Sequence, residues 1–170
     1  VSDSIIDSDY NKRIIDVLIY GTGFQTSMFL TPLKIINDKN QSLDSCWING
    51  PKAHRGVTIP DFYNFFMLYG PNTNLGHNSI VFMIECQVKY IIRCIEKVIK
   101  SGNRTIVPKH ESMIIYNIQL QKGLEKTVFS EDCSSWYKND SGKILNNYHK
   151  GHVEYFFENT FPKFHEYDFS

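Results

Sequence analysis

The longest uninterrupted pattern in this 170-residue chain runs from Ser79 to Ser101, and it constrains what can be built around it. Ile80, Met83, Ile84, Val88, Ile91, Ile92, Ile95 and Ile99 recur at steps of three and four, with Lys89, Arg93, Glu96, Lys97 and Lys100 between them. That period places an apolar stripe and a charged stripe on one α-helix. Gly102 supplies the stop, and the basic last turn suits the negative pole of the helix dipole. Ahead of the helix, Phe65-Phe66-Met67-Leu68-Tyr69 predicts a strand that Gly70-Pro71 ends, and Asn72-Thr73-Asn74-Leu75-Gly76-His77-Asn78 leads to a capping Ser79. A strand end, a glycine-bearing loop and a helix N-terminus together gather free amides and partial positive charge, where an anionic group is stabilised. Most corners of this kind bind nothing, so an ordinary capped helix after a turn is the plain alternative.

Around that helix the remaining segments are shorter. Ile5-Ile6 and Arg13-Ile14-Ile15 flank the turn-rich Asp7 to Asn11 and predict a β-hairpin. The continuous apolar run Asp16-Val17-Leu18-Ile19-Tyr20 predicts a strand buried on both faces, closed by Gly21-Thr22-Gly23. As a dinucleotide fingerprint that turn fails, because Thr26 stands at the third glycine position and no clear helix follows. From Phe29 to Pro60 the pattern is irregular, with a short strand expected at Leu33 to Ile36 and one helical turn at Leu43 to Trp47. His54 and Arg55 read as exposed loop residues without partners, and no chemistry is assigned to them. A short strand at Arg104 to Val107, a second helix from about Glu111 to Lys126, a strand and turn over Ser134 to Lys143, a short regular piece from Gly151 to Asn159 and a disordered end complete the chain.

Composition excludes more than it assigns. Lysine plus arginine and aspartate plus glutamate both number 18, so the balance gives no sign of a nucleic-acid or acidic-membrane partner. No segment reads as a membrane span. Cys46, Cys86, Cys94 and Cys133 show no metal-site spacing and are expected to be reduced core thiols of a cytoplasmic protein. The first residues, Val1-Ser2-Asp3-Ser4, suggest a chain cut from something longer.

Taken together and in order, Asp16-Val17-Leu18-Ile19-Tyr20-Gly21-Thr22-Gly23-Phe24, Gly50-Pro51, the run from Phe66 to Ser79, and Ser135-Trp136-Tyr137 resemble the C-terminal part of Baeyer-Villiger-type flavin monooxygenases. The run from Tyr69 to Ser79 carries the specificity, and it is most similar to the branch that includes hydroxyacetophenone monooxygenase. The resemblance implies an α/β fold, the C-terminal portion of an incomplete Rossmann-like FAD/NAD(P)-binding domain with a small helical and β tail. Residues 1–101 would close the FAD-binding domain and 102–170 would form an extension packed on it.

The implied activity is that of an FAD- and NADPH-dependent enzyme inserting one oxygen atom from O2 into a ketone or onto a soft heteroatom. Its implied partners are a small-molecule substrate and upstream domains of the same parent chain. Neither a G-x-G-x-x-G nor the family's F-x-G-x-x-x-H-x-x-x-W-P fingerprint is present, so the chain alone is expected to bind cofactor poorly and to be inactive. By resemblance, the cofactor-binding residues are Gly21, Thr22, Gly23, Asn74, Leu75, Gly76, His77, Asn78 and Trp136. His77 would contact the flavin or merely cap the loop, and Trp136 would reach NADP or lie in the core. A non-catalytic α/β remnant serving as a binding or assembly module is the alternative.

Overall fold

A computed structural model describes residues 3–23, 28–76, 79–131, 137–139 and 141–170. The elements in chain order are β1 (Ser4–Ile6), β2 (Lys12–Ile14), α1 (Leu43–Cys46), α2 (Ile80–Ser101), β3 (Ile106–Pro108), α3 (His110–Leu124), α4 (His152–Thr160) and β4 (Tyr167–Phe169). The described strands form two antiparallel pairs, β1 with β2 and β3 with β4, and the fold is mixed α/β. The hairpin forms where Asp7 gathers it: its Oδ1 accepts the amides of Asp9 and Asn11, and its Oδ2 accepts Arg13 Nε. Chain reversal there follows from a short side chain that mimics a backbone acceptor.

Helix α2 spans its expected range. Ser79 Oγ accepts the Phe82 amide, and Gly102 closes the far end in the left-handed region at φ 72°. Its buried stripe is narrower than the apolar sequence pattern. Met83, Cys86, Gln87, Tyr90 and Cys94 are buried, whereas Val88, Ile92, Ile95 and Ile99 are exposed. The apolar positions therefore lie on two faces of the helix, and packing partners in this chain cover one of them. Met83 and Cys86 join Leu75, Leu120, Leu124, Ile144, Tyr148 and Tyr155 in one cluster, and Tyr90 and Cys94 join Val57, Ile106 and Tyr167 in another. Helix α4 lies against α2, where Arg93 donates to the Thr160 carbonyl and sits 4.4 Å over the Phe161 ring.

Several expectations need correction. The run from Asp16 to Tyr20 is irregular and exposed, with Val17 at 74% and Ile19 at 87%. An apolar strand is buried only where neighbouring strands and helices cover it, and among the described residues none pairs with this one. Phe65 to Tyr69 is a bend instead of a strand: the Met67 amide goes to Val57 O and the Tyr69 amide to the Gln87 side chain, so no ladder forms. Leu33 to Ile36 contributes a single bridge, Ile36 to Ser42. The chain end is ordered, since β4 pairs with β3 in the register Ile106 to Phe169 and Pro108 to Tyr167. Cys86 and Cys94 are buried free thiols, and burial pushes the Cys94 thiol up to about 12; Cys46 is exposed, and Cys133 lies outside the described residues. Among the described residues no helix is long and apolar enough to cross a membrane.

Candidate functional site

The loop from Gly70 to Gly76 is held by hydrogen bonds to residues about seventy positions away. Asn72 donates its amide to Leu145 O, and its side-chain Nδ2 reaches Ile144 O at 2.9 Å and Asn147 O at 3.0 Å. Asn74 donates its amide to Asn146 O, and its own carbonyl accepts the Tyr148 amide. Asn74 Nδ2 meets Asn147 Oδ1 at 2.7 Å while its Oδ1 accepts Tyr69 Oη–H at 3.1 Å. Asparagine suits this task because its amide donates and accepts at once. The left-handed backbone at Asn72, φ 58°, is one that asparagine tolerates better than most residues.

Two close approaches fix the entry to the loop. Gly56 has φ +68°, and a Cβ there would lie 2.0 Å from Thr73 Cγ2 and 2.9 Å from Pro71 O. A Cβ at Gly70 would lie 2.3 Å from Gly56 O. Only glycine fits at such a crossing of backbones. The Thr73 hydroxyl then donates to Gly70 O and closes the turn.

The loop delivers the chain to the N-terminus of α2. Leu75 is buried in the core and anchors that delivery, and Ser79 takes the Phe82 amide. Helix geometry leaves the amides of Ile80 and Val81 without an intrahelical acceptor, and no acidic residue stands in the first turn to offset the dipole. Beside the loop lies a cleft of about 310 Å3, lined by Met28, Leu30, Met67, Leu68, Tyr69 and Asn74 among others. Its size suits a flat ring system better than a whole dinucleotide.

A second cluster was missed by sequence reasoning. His54 and Arg55, expected to be exposed and unpartnered, are buried. Arg55 donates Nε and Nη2 to both oxygens of Glu166 at 3.1–3.2 Å and Nη1 to Glu158 O at 2.7 Å, and His54 Nε2 meets Glu166 Oε2 at 3.0 Å. Burial lowers the His54 pKa, and the neighbouring His54 and Arg55 hold the Glu166 carboxyl down at about 2. A neutral His54 facing a carboxylate must carry its proton on Nε2. Beyond it, Tyr167 shares its hydroxyl with Tyr90 and Thr58, and Gln87 spans from the Tyr69 amide to the Tyr155 hydroxyl. No local sequence pattern marks this cluster, because its ion pair joins residues 111 apart in the chain.

Of the residues singled out from the sequence, Asn74, Leu75 and Gly76 stand together at the loop. The polar atoms of Asn74 are engaged within the protein, Leu75 is core, and Gly76 is exposed with room for a Cβ, Phe129 being 3.7 Å away. His77, Asn78 and Trp136 lie outside the described residues. Gly21, Thr22 and Gly23 are exposed, and no atom of the described residues lies within 4 Å of a Cβ built at Gly21 or Gly23. Among the described residues no group of His, Cys, Asp or Glu is placed to hold a metal ion.

Over 155 residues the chain is 41% identical to the FAD-binding monooxygenase ktnD of Aspergillus niger, covering 88% of this chain and 26% of that one. Over 137 residues it is 34% identical to a Baeyer-Villiger monooxygenase of Pseudomonas aeruginosa, covering 80% and 26%. This chain is a relative of the Baeyer-Villiger-type flavin monooxygenases. It spans about a quarter of the length of these curated relatives. Its fold matches part of OTEMO, solved in complex with FAD and NADP, with a TM-score of 0.81 at 21% identity over 99% of this chain and 32% of that one. A closed structure of cyclohexanone monooxygenase matches with a TM-score of 0.79 at 24% identity, covering 96% and 32%. No family model matches.

Proposed function

We propose that this chain is the C-terminal segment of an FAD- and NADPH-dependent monooxygenase that inserts one oxygen atom from O2 into a ketone or adds it to a soft heteroatom. The observation that carries the reading is the loop from Gly70 to Gly76, pinned to residues 144–148 and leading to a helix N-terminus whose first amides have no acceptor within the helix itself. In this reading the flavin, when bound, supplies the redox chemistry that activates O2. The chain's own part is to position and polarise. Backbone around Leu75 and Gly76 approaches the ring, and the amides of Ile80 and Val81 favour negative charge at the edge that faces them. The cleft lined by Met67, Leu68 and Tyr69 offers a mostly apolar surface beside that edge. By the resemblance, His77 and Asn78 would add to the flavin contacts, Gly21 to Gly23 would offer a further backbone contact to cofactor, and Trp136 would reach NADP.

Residues 1–101 then close the FAD-binding domain and 102–170 form the extension packed on it. The shared cluster of Leu75, Met83 and Cys86 with Leu120, Leu124, Tyr148 and Tyr155 supports that packing. The parent enzyme is cytoplasmic, its remaining domains are other parts of the same chain, and the run from Tyr69 to Ser79 favours the hydroxyacetophenone monooxygenase branch. The test is oxygen uptake and NADPH consumption by the longest protein encoded in this reading frame, offered an aryl ketone, a cyclic ketone and a thioether. Substrate-dependent consumption by a yellow, flavin-loaded protein is expected. A colourless protein that oxidises no NADPH would overturn the reading.

A further inference from the structure

A buried guanidinium that makes four hydrogen bonds, that of Arg55, stands outside the proposed cofactor contacts. Arg55 lies immediately before Gly56, the residue whose backbone touches Pro71 and Thr73 at the start of the pinned loop. Through Nε and Nη2 it holds the carboxylate of Glu166, directly ahead of β4, and through Nη1 it holds the carbonyl of Glu158 in α4. The Glu158 carboxylate in turn accepts the Tyr148 hydroxyl at 2.6 Å and pairs with Lys150. Tyr148 donates its amide to Asn74 O. Two contiguous routes therefore join the C-terminal arm to the loop, one through Gly56 and one through Glu158 and Tyr148, and both begin at one guanidinium.

We infer that Arg55 is a positioning residue: by clasping Glu166 and Glu158 it couples the C-terminal arm, residues 152–170, to the loop Gly70 to Gly76 and sets how firmly that loop is presented to flavin. The flavin part rests on the function proposed above; the coupling does not. A planar fork is what the geometry requires, since three of its nitrogens make four contacts in two directions. Lysine offers a point charge and cannot reproduce it. Coupling of this kind is reciprocal, so flavin bound at the loop must also tighten the arm.

The experiment is amide hydrogen exchange on the longest protein encoded in this reading frame and on its Arg55→Lys, Arg55→Met and Glu166→Gln variants, together with titration of each by FAD. In Arg55→Met and Glu166→Gln the amides of Asn72, Asn74 and Tyr148 are expected to exchange about tenfold faster while those in the middle of α2 keep their protection. Arg55→Lys should fall between them and the unmodified chain. FAD affinity should drop in the same order, and saturating FAD should slow exchange at Tyr167 to Phe169. Unchanged loop amides in Glu166→Gln would overturn the coupling. So would a uniform loss of protection, α2 included, in both Glu166→Gln and Arg55→Lys, because that is the signature of a stabilising ion pair without a positioning role. Loop amides that respond in a chain that binds no FAD would uphold the coupling and sink the flavin reading instead.

Discussion

The N-terminal arm, residues 3–23, and the centre of the molecule reverse the usual relation between residue type and burial. In the arm the apolar residues Val17, Ile19 and Tyr20 are exposed, and the side-chain hydrogen bonds that Asp7 gathers are local. In the centre His54, Arg55, Asn72, Gln87 and Asn147 are buried, and hydrogen bonds tie them to residues far off in sequence. What separates the two regions is the supply of partners. Apolar surface leaves water only where something covers it, and buried polar side chains are held by the counterparts they find. The exposed apolar face of the arm is also where association is expected.

The largest expected effect tests the centre at its tightest point. Gly56→Val adds left-handed backbone strain and a clash with Thr73 and Pro71, roughly 1–3 kcal/mol from each source, so the urea midpoint should fall by an amount equivalent to about 2–6 kcal/mol. Gly76→Val is the control. Among the described residues its Cβ meets Phe129 alone, at 3.7 Å, so the fold should change by less than about 0.5 kcal/mol. Any loss of flavin affinity in the full-length parent, about ten- to a hundredfold if the backbone meets the ring, would then report the contact and not the fold. Equal destabilisation by both substitutions would erase the distinction drawn between these two glycines.

Acid comes next. Both His54 and Glu166 have folded pKa values below their ordinary ones, His54 through burial and Glu166 through His54 and Arg55 despite partial burial. Each therefore binds fewer protons folded than unfolded, and the stability it contributes is present at higher pH and lost on acidification. The His54 contribution begins to fall as pH drops through 6.5, and that of Glu166 is lost from 4.5 down to about 2. Thermal melts from pH 8 to pH 3 should show both windows, and Glu166→Gln should flatten the lower one. A melting temperature unchanged between pH 7 and pH 4 would remove the buried clasp from the account.

Smaller effects belong to the helix end and to the arm. Ser79→Ala removes the cap on the Phe82 amide and should cost about 1 kcal/mol, read as a lower melting temperature with α2 still helical by circular dichroism. Ile19→Ser should change stability by less than about 0.5 kcal/mol, because the side chain has little to lose, while self-association in sedimentation decreases. A large loss of stability from Ile19→Ser would mean that the arm is packed after all, and the contrast between the two regions would collapse.

The parts of this fold that follow from neighbours in sequence were legible: the hairpin around Asp7, the helix from Ile80 with its Ser79 cap and Gly102 stop, the helix from His110, and the turn at Leu43. Capping, turn chemistry and the helical period all act within a few residues, so the sequence determines them directly. Which apolar residues are buried was not settled there. Ile92 and Ile99 carry the same period as Met83, yet Met83 is in the core and they are not, because the period marks apolar positions without naming what covers them. The site divides in the same way. The loop from Gly70 to Ser79 stands out by its residue types, but what pins it, Asn72 and Asn74 against residues 144–148, exists only once the chain has folded back on itself. Tertiary structure alone decided that His54 and Arg55 meet Glu166: an ion pair closed over more than a hundred residues has no local period, and burial, not spacing, makes it strong.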